Sequence, residues 1–343
     1  MPALTTACTT DALPDGTVDA VVIGGGAAGL NGALMLARSR RSVVVIDSGT
    51  PRNAPAEGVH GLLGLDGTPP AELYGRGREE VRGYGGLIVS GEVGAAEHAA
   101  PSADGDLRFT VTLTDGRALT ARRLLVATGL RDVLPDLPGL AGHWGRSVVH
   151  CPYCHGWEVR DEPIGVLATG PASVHHALLF RQLTDDLVYF AHGTELDEET
   201  RTRFAARGIR VVDTPVEEVV EDGDGGIGGL RLTDGLVVAR RVLAVATTLV
   251  ARTEGLAGLG LPMENLPGGG RSFVSGPAGA TDVPGVWVAG NVTDPMAQVG
   301  ASAAAGALAG AHINALLAVA DTDAAVAALA AAGNGTASAT TLA

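Results

Sequence analysis

Residues 18-VDAVVIGGGAAGLNGALMLARSRRSVVVIDSG-49 decide the fold of this chain. The apolar run over 21–23 predicts a buried strand, the pattern over 30–39 predicts a helix, and 42–47 predicts a second strand. The turn between the first strand and the helix carries three glycines in G-x-G-x-x-G spacing, Gly24, Gly26 and Gly29. This order of elements predicts a β-α-β unit that opens an α/β domain.

The glycine turn has the sequence context of a dinucleotide site. Glycines let the backbone approach a pyrophosphate, and the N-terminus of the helix supplies N–H donors and the positive end of its dipole. Asp47 lies 18 positions after Gly29, at the end of the second strand, where a carboxylate can accept hydrogen bonds from ribose hydroxyls. A glycine turn in an ordinary β-α-β unit is the alternative.

The pattern changes beyond this unit. Residues 107–113 alternate between polar and apolar, 115–116 is a turn, and 119–130 predicts a strand that leads into Ala-Thr-Gly at 127–129. A β-hairpin followed by Ala-Thr-Gly is a common feature of flavoproteins. The Pro- and Gly-rich stretch 131–142 is predicted to be a linker.

The second half of the chain repeats the order of strand, helix, strand, hairpin and strand. Strands are predicted at 164–168, 187–191, 209–213 and 241–250, helices at 173–183 and 196–208, and a hairpin at 216–235. A last strand at 286–291 runs into an Ala- and Gly-rich helix at 297–318, and the tail at 333–343 is predicted to be disordered.

Two of the three cysteines stand in 148-VVHCPYCHGWEVR-160, as Cys151 and Cys154. The same C-P-Y-C occurs in glutaredoxins, where the first cysteine begins a helix directly after the first strand. Here Gly156 and Pro163 interrupt such a helix, and a strand follows. The pair is therefore not placed as it is in a glutaredoxin, and a different scaffold carries it.

A zinc site built from the two cysteines with His143 and His150 is the alternative. It would lack a second close-spaced ligand pair, so we predict no metal. Cys8 lies in a polar N-terminal leader, for which no catalytic role is expected.

Composition limits the partners and the location. The net charge is −14, and all 24 basic residues are arginine, which argues against nucleic acid and against an anionic membrane surface. The N-terminus has no signal-peptide pattern, and no apolar run was expected to reach the length of a transmembrane helix. We expect a cytoplasmic protein, in which a C-x-x-C pair is more often catalytic than structural.

The order of these motifs resembles that of the low-molecular-weight thioredoxin reductase family, over roughly 17–320. The resemblance implies an α/β fold with two Rossmann-like three-layer nucleotide-binding domains, an inserted NADPH-type domain splitting the FAD domain, and a homodimer. The implied segments are a flexible leader at 1–16, FAD-binding segments at 17–138 and 255–320, the inserted domain with the cysteines at 139–254, and a C-terminal helix or tail at 321–343.

FAD is the cofactor that this resemblance implies. Its predicted contacts come from four turns and loops: Gly24, Gly26, Ala27, Ala28, Gly29, Asp47, Ser48, Arg52, Asn53, His60, Ala127, Thr128, Gly129, Gly290, Asn291, Gln298 and Val299. The helix that begins near Gln298 would direct its N-terminus at the flavin. Asn291 stands where the family usually has Asp, and its amide can still bind a ribityl hydroxyl.

The second nucleotide motif departs from the family pattern. It reads 168-ATGPASVHHA-177, with Ala168 in place of the first glycine and Pro171 where a pyrophosphate needs an N–H donor. The arginines that read NADPH are replaced by His-Gly-Thr at 192–194. We expect a domain that has lost its nicotinamide nucleotide, and weak residual binding is the alternative.

These departures resemble the branch of flavin dithiol oxidases that close the disulfides of natural products such as holomycin and gliotoxin. The resemblance implies that a substrate thiolate attacks the outer Cys151, that the inner Cys154 lies beside the flavin, and that His155, in place of the usual Asp, moves the protons. Electrons then pass to O2, giving H2O2. An NADPH-dependent thioredoxin reductase and a non-catalytic flavin redox sensor are the alternatives. The natural dithiol stays open, as do the roles of His143, His150, His175 and His176.

Overall fold

The computed structural model of the protein describes residues 10–103 and 105–337. Its first part contains β1 (Thr17–Ile23), α1 (Ala27–Arg38), β2 (Val43–Asp47), α2 (Pro70–Gly83), β3 (Leu87–Ser90), β4 (Val93–Ala99), β5 (Arg108–Leu113), β6 (Ala118–Val126) and β7 (Leu130–Val133). The predicted β-α-β unit and the β5-β6 hairpin are present. The sequence patterns did not predict α2, β3 or β4, and β7 lies in the stretch that was predicted to be a linker.

The middle part contains β8 (Val148–Val149), α3 (Pro152–His155), β9 (Ile164–Leu167), α4 (Ala172–Phe180), β10 (Leu187–Phe190), α5 (Glu198–Ala206), β11 (Arg210–Val212), β12 (Val216–Glu221), β13 (Ile227–Leu232), β14 (Val237–Val238), β15 (Val242–Val245) and β16 (Thr248–Ala251). The prediction of one strand at 241–250 was wrong. The chain turns at 246–247, and β15 and β16 therefore join different sheets. Within this turn the hydroxyl of Thr247 donates a hydrogen bond to Asp132.

The last part contains β17 (Met263–Asn265), β18 (Arg271–Phe273), β19 (Val286–Val288) and α6 (Val299–Ala337). The predicted disorder at 333–343 was wrong for 333–337, which continue α6, and 338–343 lie outside the described residues. The helix extends beyond the predicted end at 318 because the following residues are rich in alanine, the strongest helix former.

Helix α6 also corrects the expectation about membrane spans. By length and composition alone it could cross a membrane. Its Asp321, however, forms ion pairs with Arg41 at 2.5 Å and Arg122 at 2.6 Å, which fix this part of the helix to the first sheet. Ile313 and Leu317 are fully buried on its inner face. These contacts pack the part of α6 up to Asp321 against the first domain.

Part of the predicted flexible leader is fixed to the fold. Residues 1–9, with Cys8, lie outside the described residues. Asp11 accepts hydrogen bonds from the backbone N–H of Ile88 at 2.7 Å and from the guanidinium of Arg82 at 3.0 Å. The leader therefore joins the first domain several residues earlier than expected.

Two twisted sheets organise these elements. The first has the order β3-β2-β1-β6-β5-β4, with β19 also paired to β6, and β1, β2, β3, β6 and β19 run parallel. The second has the parallel order β11-β10-β9-β15-β8. Each sheet buries an apolar cluster on both faces, which gives the predicted three-layer α/β architecture.

Helices α1 and α6 pack against each other backbone to backbone over the first sheet. A Cβ on Gly306 would overlap the carbonyl of Ala28, and a Cβ on Gly310 would press on the backbone of Gly32. The many small residues of α6 therefore serve close helix packing and place its N-terminus near the glycine turn.

The chain crosses between the sheets twice, along β7 and β16. These strands pair antiparallel, with Asp132 opposite Leu249. The domain boundaries expected at 138 and 254 stay a prediction.

Candidate functional site

One cavity of about 1050 Å³ is lined by residues from both sheets. Many of them directly follow strands: Gly24 follows β1, Ser48 follows β2, Ala127 follows β6, His150 follows β8, and Ala246 follows β15. The crevice beyond the carboxyl ends of parallel strands is where open α/β sheets bind nucleotides. The volume is at the upper end of the range for ligand sites.

The glycine turn has the shape of a phosphate cradle. Gly24 has a φ of +107°, and a Cβ on it would overlap the carbonyl oxygen of Ala127. A Cβ on Gly26 would meet nothing within 4 Å, so the backbone borders open space there. Helix α1 begins directly after Gly26 without a side-chain cap, and its first N–H groups can serve a phosphate. These residues fit a dinucleotide.

Asp47 lies beside this turn, where a Cβ on Gly25 would touch its carboxylate. Arg78 donates to Asp47 Oδ2 at 2.9 Å, and the N–H of Gly49 donates to Oδ1 at 3.2 Å. An ionised carboxylate has about four acceptor sites, so ribose hydroxyls can still be bound. Ser48 also lines the cavity.

A second part of the cavity wall is formed by the turn after β19 and by the start of α6. Gly290 has a φ of +77°, which favours glycine. Gln298 and Val299 line the cavity at the N-terminus of α6. The side-chain amide of Asn291 donates to three backbone carbonyls of the next loop, those of Asp294, Pro295 and Ala297, at 3.0, 3.3 and 2.8 Å. The amide therefore holds this loop, and its contact with a ribityl hydroxyl stays a prediction.

Arg52 forms a two-pronged ion pair with Asp132. Its Nε lies 2.7 Å from Oδ2 and its Nη2 lies 2.8 Å from Oδ1. Burial alone would raise the pKa of Asp132. The hydrogen bonds and charge of Arg52, with the hydrogen bond from Thr247, outweigh the effect of burial, so the pKa of Asp132 lies below its usual value. Asp132 is therefore ionised at neutral pH.

Two other residues of the loop after β2, which contains Arg52, also border the cavity. Asn53 Oδ1 accepts a hydrogen bond from the hydroxyl of Tyr74 at 3.1 Å. His60 has Nδ1 3.4 Å from Asp66 Oδ2 and Nε2 3.4 Å from Glu158 Oε1. His60 thus links this loop to the segment that follows the cysteines.

Cys151 and Cys154 form a disulfide, with their Cα atoms 5.2 Å apart, around the single turn of α3. Both cysteines line the cavity and are partly exposed. The turn ends at Gly156, where a Cβ would overlap the carbonyl of Pro152. The disulfide and the glycine turn therefore share one cavity.

His155 also lines this cavity. Within the described part of the chain, both of its ring nitrogens are buried without a hydrogen-bond partner. Burial lowers its pKa, an effect that Glu158 opposes and that His60 and His150 reinforce. His155 is therefore neutral at pH 7 and can accept a proton.

The histidines left open by the sequence divide into two groups. His150, His175 and His176 line the cavity, whereas His143 is buried elsewhere, with Nε2 3.4 Å from Glu221 Oε1. His176 donates to the carbonyl of His150, and burial lowers its pKa to about 4. Among residues 10–103 and 105–337, no group of three or more His, Cys, Asp or Glu side chains could hold a metal ion.

The second nucleotide turn is satisfied by its own atoms. The N–H of Thr169 donates to Ser173 Oγ at 3.0 Å, and the N–H of Ser173 donates to the carbonyl of Gly170 at 3.0 Å. Ser173 is fully buried. Pro171 contributes no N–H at the start of α4. The N–H groups of Thr169 and Ser173 are therefore not free to bind a pyrophosphate, and Pro171 has none to offer.

The loop after β10 offers no arginine or lysine to a 2′-phosphate. His192 has a φ of +47°, and its Nδ1 accepts the N–H of Val216 at 3.1 Å. The N–H of Thr194 donates to the carbonyl of Ala191 at 2.7 Å. This loop is therefore also satisfied internally.

Two nucleotide-type sheets and a C-x-x-C disulfide that shares a cavity with a glycine turn define a disulfide oxidoreductase. A family profile described as pyridine nucleotide-disulphide oxidoreductase matches residues 18–308. The chain belongs to this family, whose members are flavoproteins.

Known relatives agree with this assignment. The chain is 38% identical to the thioredoxin reductase tcpT of Claviceps purpurea over 281 residues, which are 80% of this chain and 86% of the relative. It is 31% identical to the thioredoxin reductase sirT of Leptosphaeria maculans over 310 residues, covering 86% and 93% of the two chains. The crystal structure of HlmI superposes with a TM-score of 0.86 at 46% identity, covering 93% of this chain and 98% of that one. The predicted resemblance to thioredoxin reductase-like proteins is confirmed.

The cavity brings together every predicted site residue except Gly29. A Cβ on Gly29 would overlap the carbonyl of Gly24, so this glycine serves the packing of α1. The sequence analysis missed lining residues that carry no motif: Tyr74, Asp132, Trp144, Leu179, Thr247, Arg252, Leu266 and Met296. Their positions depend on long-range packing, which the sequence pattern does not report.

Proposed function

We propose that this protein is an FAD-dependent dithiol oxidase that closes an intramolecular disulfide in a small dithiol natural product, with O2 as the electron acceptor and H2O2 as the second product. One observation carries the proposal. The second nucleotide turn uses its own donors, while the disulfide opens into the cavity of the intact glycine turn. Electrons that enter from a dithiol do not require a nicotinamide site.

An NADPH-dependent thioredoxin reductase is the second candidate, because tcpT and sirT both carry the name thioredoxin reductase. The loop at 192–194 weighs against it. A 2′-phosphate without a cationic partner forgoes charge-assisted hydrogen bonds of about 1.5–3 kcal/mol each, or roughly ten- to a hundredfold in affinity per contact. Pro171 removes a further donor.

The chemistry begins at Cys151. A substrate thiolate attacks its sulfur, the Cys151–Cys154 bond breaks, and Cys154 leaves as a thiolate. The second substrate thiol then attacks the substrate sulfur of the mixed disulfide, so that the cyclic product leaves and Cys151 becomes a thiolate. The substrate loses two electrons and two protons, and the cysteine pair gains the electrons.

His155 is the residue that moves these protons. It is neutral because burial lowers its pKa, and both ring nitrogens are free of hydrogen bonds within the described residues. A neutral imidazole can take the proton of a substrate thiol and release it later in the cycle.

The residues that would hold FAD are the glycine turn, Asp47 and the Gly290-Asn291 turn. Bound FAD would accept two electrons from the cysteine pair and deliver them to O2. The N-terminus of α6, which lines the cavity at Gln298 and Val299, would stabilise negative charge on the bound flavin through the helix dipole. The cytoplasm as location and a homodimer as assembly are parts of the same proposal.

The test is product stoichiometry. We expect the FAD-loaded enzyme, given a small dithiol in air, to form one disulfide and one H2O2 per O2 consumed, without NADPH. If the FAD-loaded enzyme consumes no O2 with any small dithiol, the proposed function is wrong.

A further inference from the structure

The carboxylate of Asp132 ties together segments from both sheets. It lies on the crossing strand β7, and its side chain is 7% exposed. Arg52, from the loop after β2, donates two hydrogen bonds to it. Thr247, between β15 and β16, donates its hydroxyl to Oδ1 at 2.7 Å. A buried carboxylate is tolerated only when it is paired in this way.

The network continues from Arg52 into the turn that precedes α6. Arg52 Nη1 lies 3.4 Å from Asn291 Oδ1 and 3.3 Å from the carbonyl of Pro295. The amide of Asn291 meanwhile donates to the carbonyls of its own loop. An aspartate at 291 could accept from Arg52 but would repel those carbonyls. The network therefore gives a physical reason for Asn at this position.

These contacts lie at the connection between the two sheets. The glycine turn belongs to the first sheet, and the disulfide follows β8 of the second. Along the described chain, β7 and β16 are the crossings between them. Contacts that hold β7 and β16 against the first sheet therefore also set the orientation of the disulfide relative to the glycine turn.

We propose that Asp132 is a positioning residue, which locks the crossing strands onto Arg52 so that Cys154 stays directed at the flavin site throughout the catalytic cycle. This inference rests on the proposed function, in which electrons move between Cys154 and the flavin and no nicotinamide has to reach it. Asp132 acts through Arg52 and Thr247 and touches no reacting atom in the mechanism.

The central test is the substitution Asp132→Asn in a Cys151→Ser background. Asparagine has one acceptor oxygen, so one of the two hydrogen bonds from Arg52 is lost and the other no longer has an anionic acceptor. We expect the long-wavelength absorbance of the Cys154 thiolate, measured per bound FAD, to fall at least about threefold. Unchanged absorbance would overturn the positioning role.

A second measurement needs no flavin chemistry. In the apoprotein, amide hydrogen exchange of 130–133 and 248–251 should become about tenfold faster in Asp132→Asn, because the two-pronged ion pair with Arg52 no longer holds the strands. Unchanged exchange rates would also overturn the proposal. If the Cys151→Ser parent lacks the long-wavelength band, the proposed function fails, and the exchange measurement still decides the locking role.

Two further variants complete the design. Thr247→Val keeps the Arg52 pair and removes one hydrogen bond. It should therefore lower the long-wavelength absorbance and speed up amide exchange by smaller factors than Asp132→Asn. It also provides a test if Asp132→Asn does not fold. Glu218→Gln removes an ion pair with Arg231 on the hairpin β12-β13, away from the cavity. It should change neither measurement, and an equal effect of this control would contradict a specific role of Asp132.

Discussion

The backbone N–H of Thr169 donates to the hydroxyl of Ser173 at 3.0 Å, inside the turn where the family pattern would place the pyrophosphate of a nicotinamide nucleotide. The hydroxyl of Thr169 in turn donates to the carbonyl of Ala246 at 2.7 Å. Both polar groups of Thr169 are therefore bonded within the protein without a ligand. This feature makes a dithiol, rather than a nicotinamide, the expected source of electrons.

The substitution Ser173→Ala tests whether the turn depends on this hydrogen bond. Because Ser173 is fully buried, its loss leaves the N–H of Thr169 without its partner, and we expect the free energy of unfolding to fall by about 1–2 kcal/mol. Denaturant titration measures it, with the exposed Ser275→Ala as control. Equal stability of Ser173→Ala and the wild type would show that the turn is held by other contacts.

The substitution Gly26→Ala separates cofactor binding from folding. A Cβ there meets nothing within 4 Å in the protein, so the stability of the apoprotein should not change. The methyl group enters the space expected for the pyrophosphate, and we expect FAD to bind about tenfold more weakly, a loss of about 1.4 kcal/mol. Gly75→Ala also meets nothing within 4 Å but lies outside the cavity lining. Equal FAD affinity of the two variants would contradict the assigned cradle.

The two cysteines should respond differently to serine. Cys151→Ser should abolish turnover and leave Cys154 free to give a long-wavelength thiolate-to-flavin absorbance. Cys154→Ser should abolish both, because the remaining thiol is the outer one. Absorbance spectra and O2 uptake measure these effects. Full dithiol oxidase activity in either variant would show that the roles are wrongly assigned.

The pH dependence of kcat/KM reports on His155. Because burial lowers its pKa, it is neutral and able to accept a proton down to pH values below 6.5, and the rate should fall as pH drops through this lowered pKa. His155→Gln should lose this acid limb and fall by about 10²–10⁴-fold in rate. The exposed His98→Gln serves as control. An acid limb with its midpoint at or above 6.5 would contradict a buried neutral base.

The sequence predicted the parts of this structure that depend on local patterns. The β-α-β unit, the hairpin β5-β6 and the strands β9, β10 and β11 follow from apolar periodicity and glycine spacing. The glycine turn and the C-x-x-C pair were found because their chemistry requires fixed spacings.

The remaining features depend on contacts between distant segments. Asp132 was assigned to a linker, because nothing in its neighbourhood indicates that Arg52, 80 residues away, would pair with it. The strand at 241–250 was not divided, since both halves are equally apolar. The loop-holding role of Asn291 depends on carbonyls whose direction is set by the tertiary fold.

Oxygen consumption by the FAD-loaded enzyme, with dithiothreitol as substrate and with or without NADPH, tests the central claim most directly. We predict that the dithiol alone reduces the flavin anaerobically, that air restores it with release of H2O2, and that millimolar NADPH neither reduces the flavin nor changes the rate. The physical reasons are the self-satisfied turn at Thr169 and the missing cation at 192–194. Rapid flavin reduction by NADPH, with reduction of thioredoxin and no dithiol-dependent O2 uptake, would contradict the account and identify a reductase.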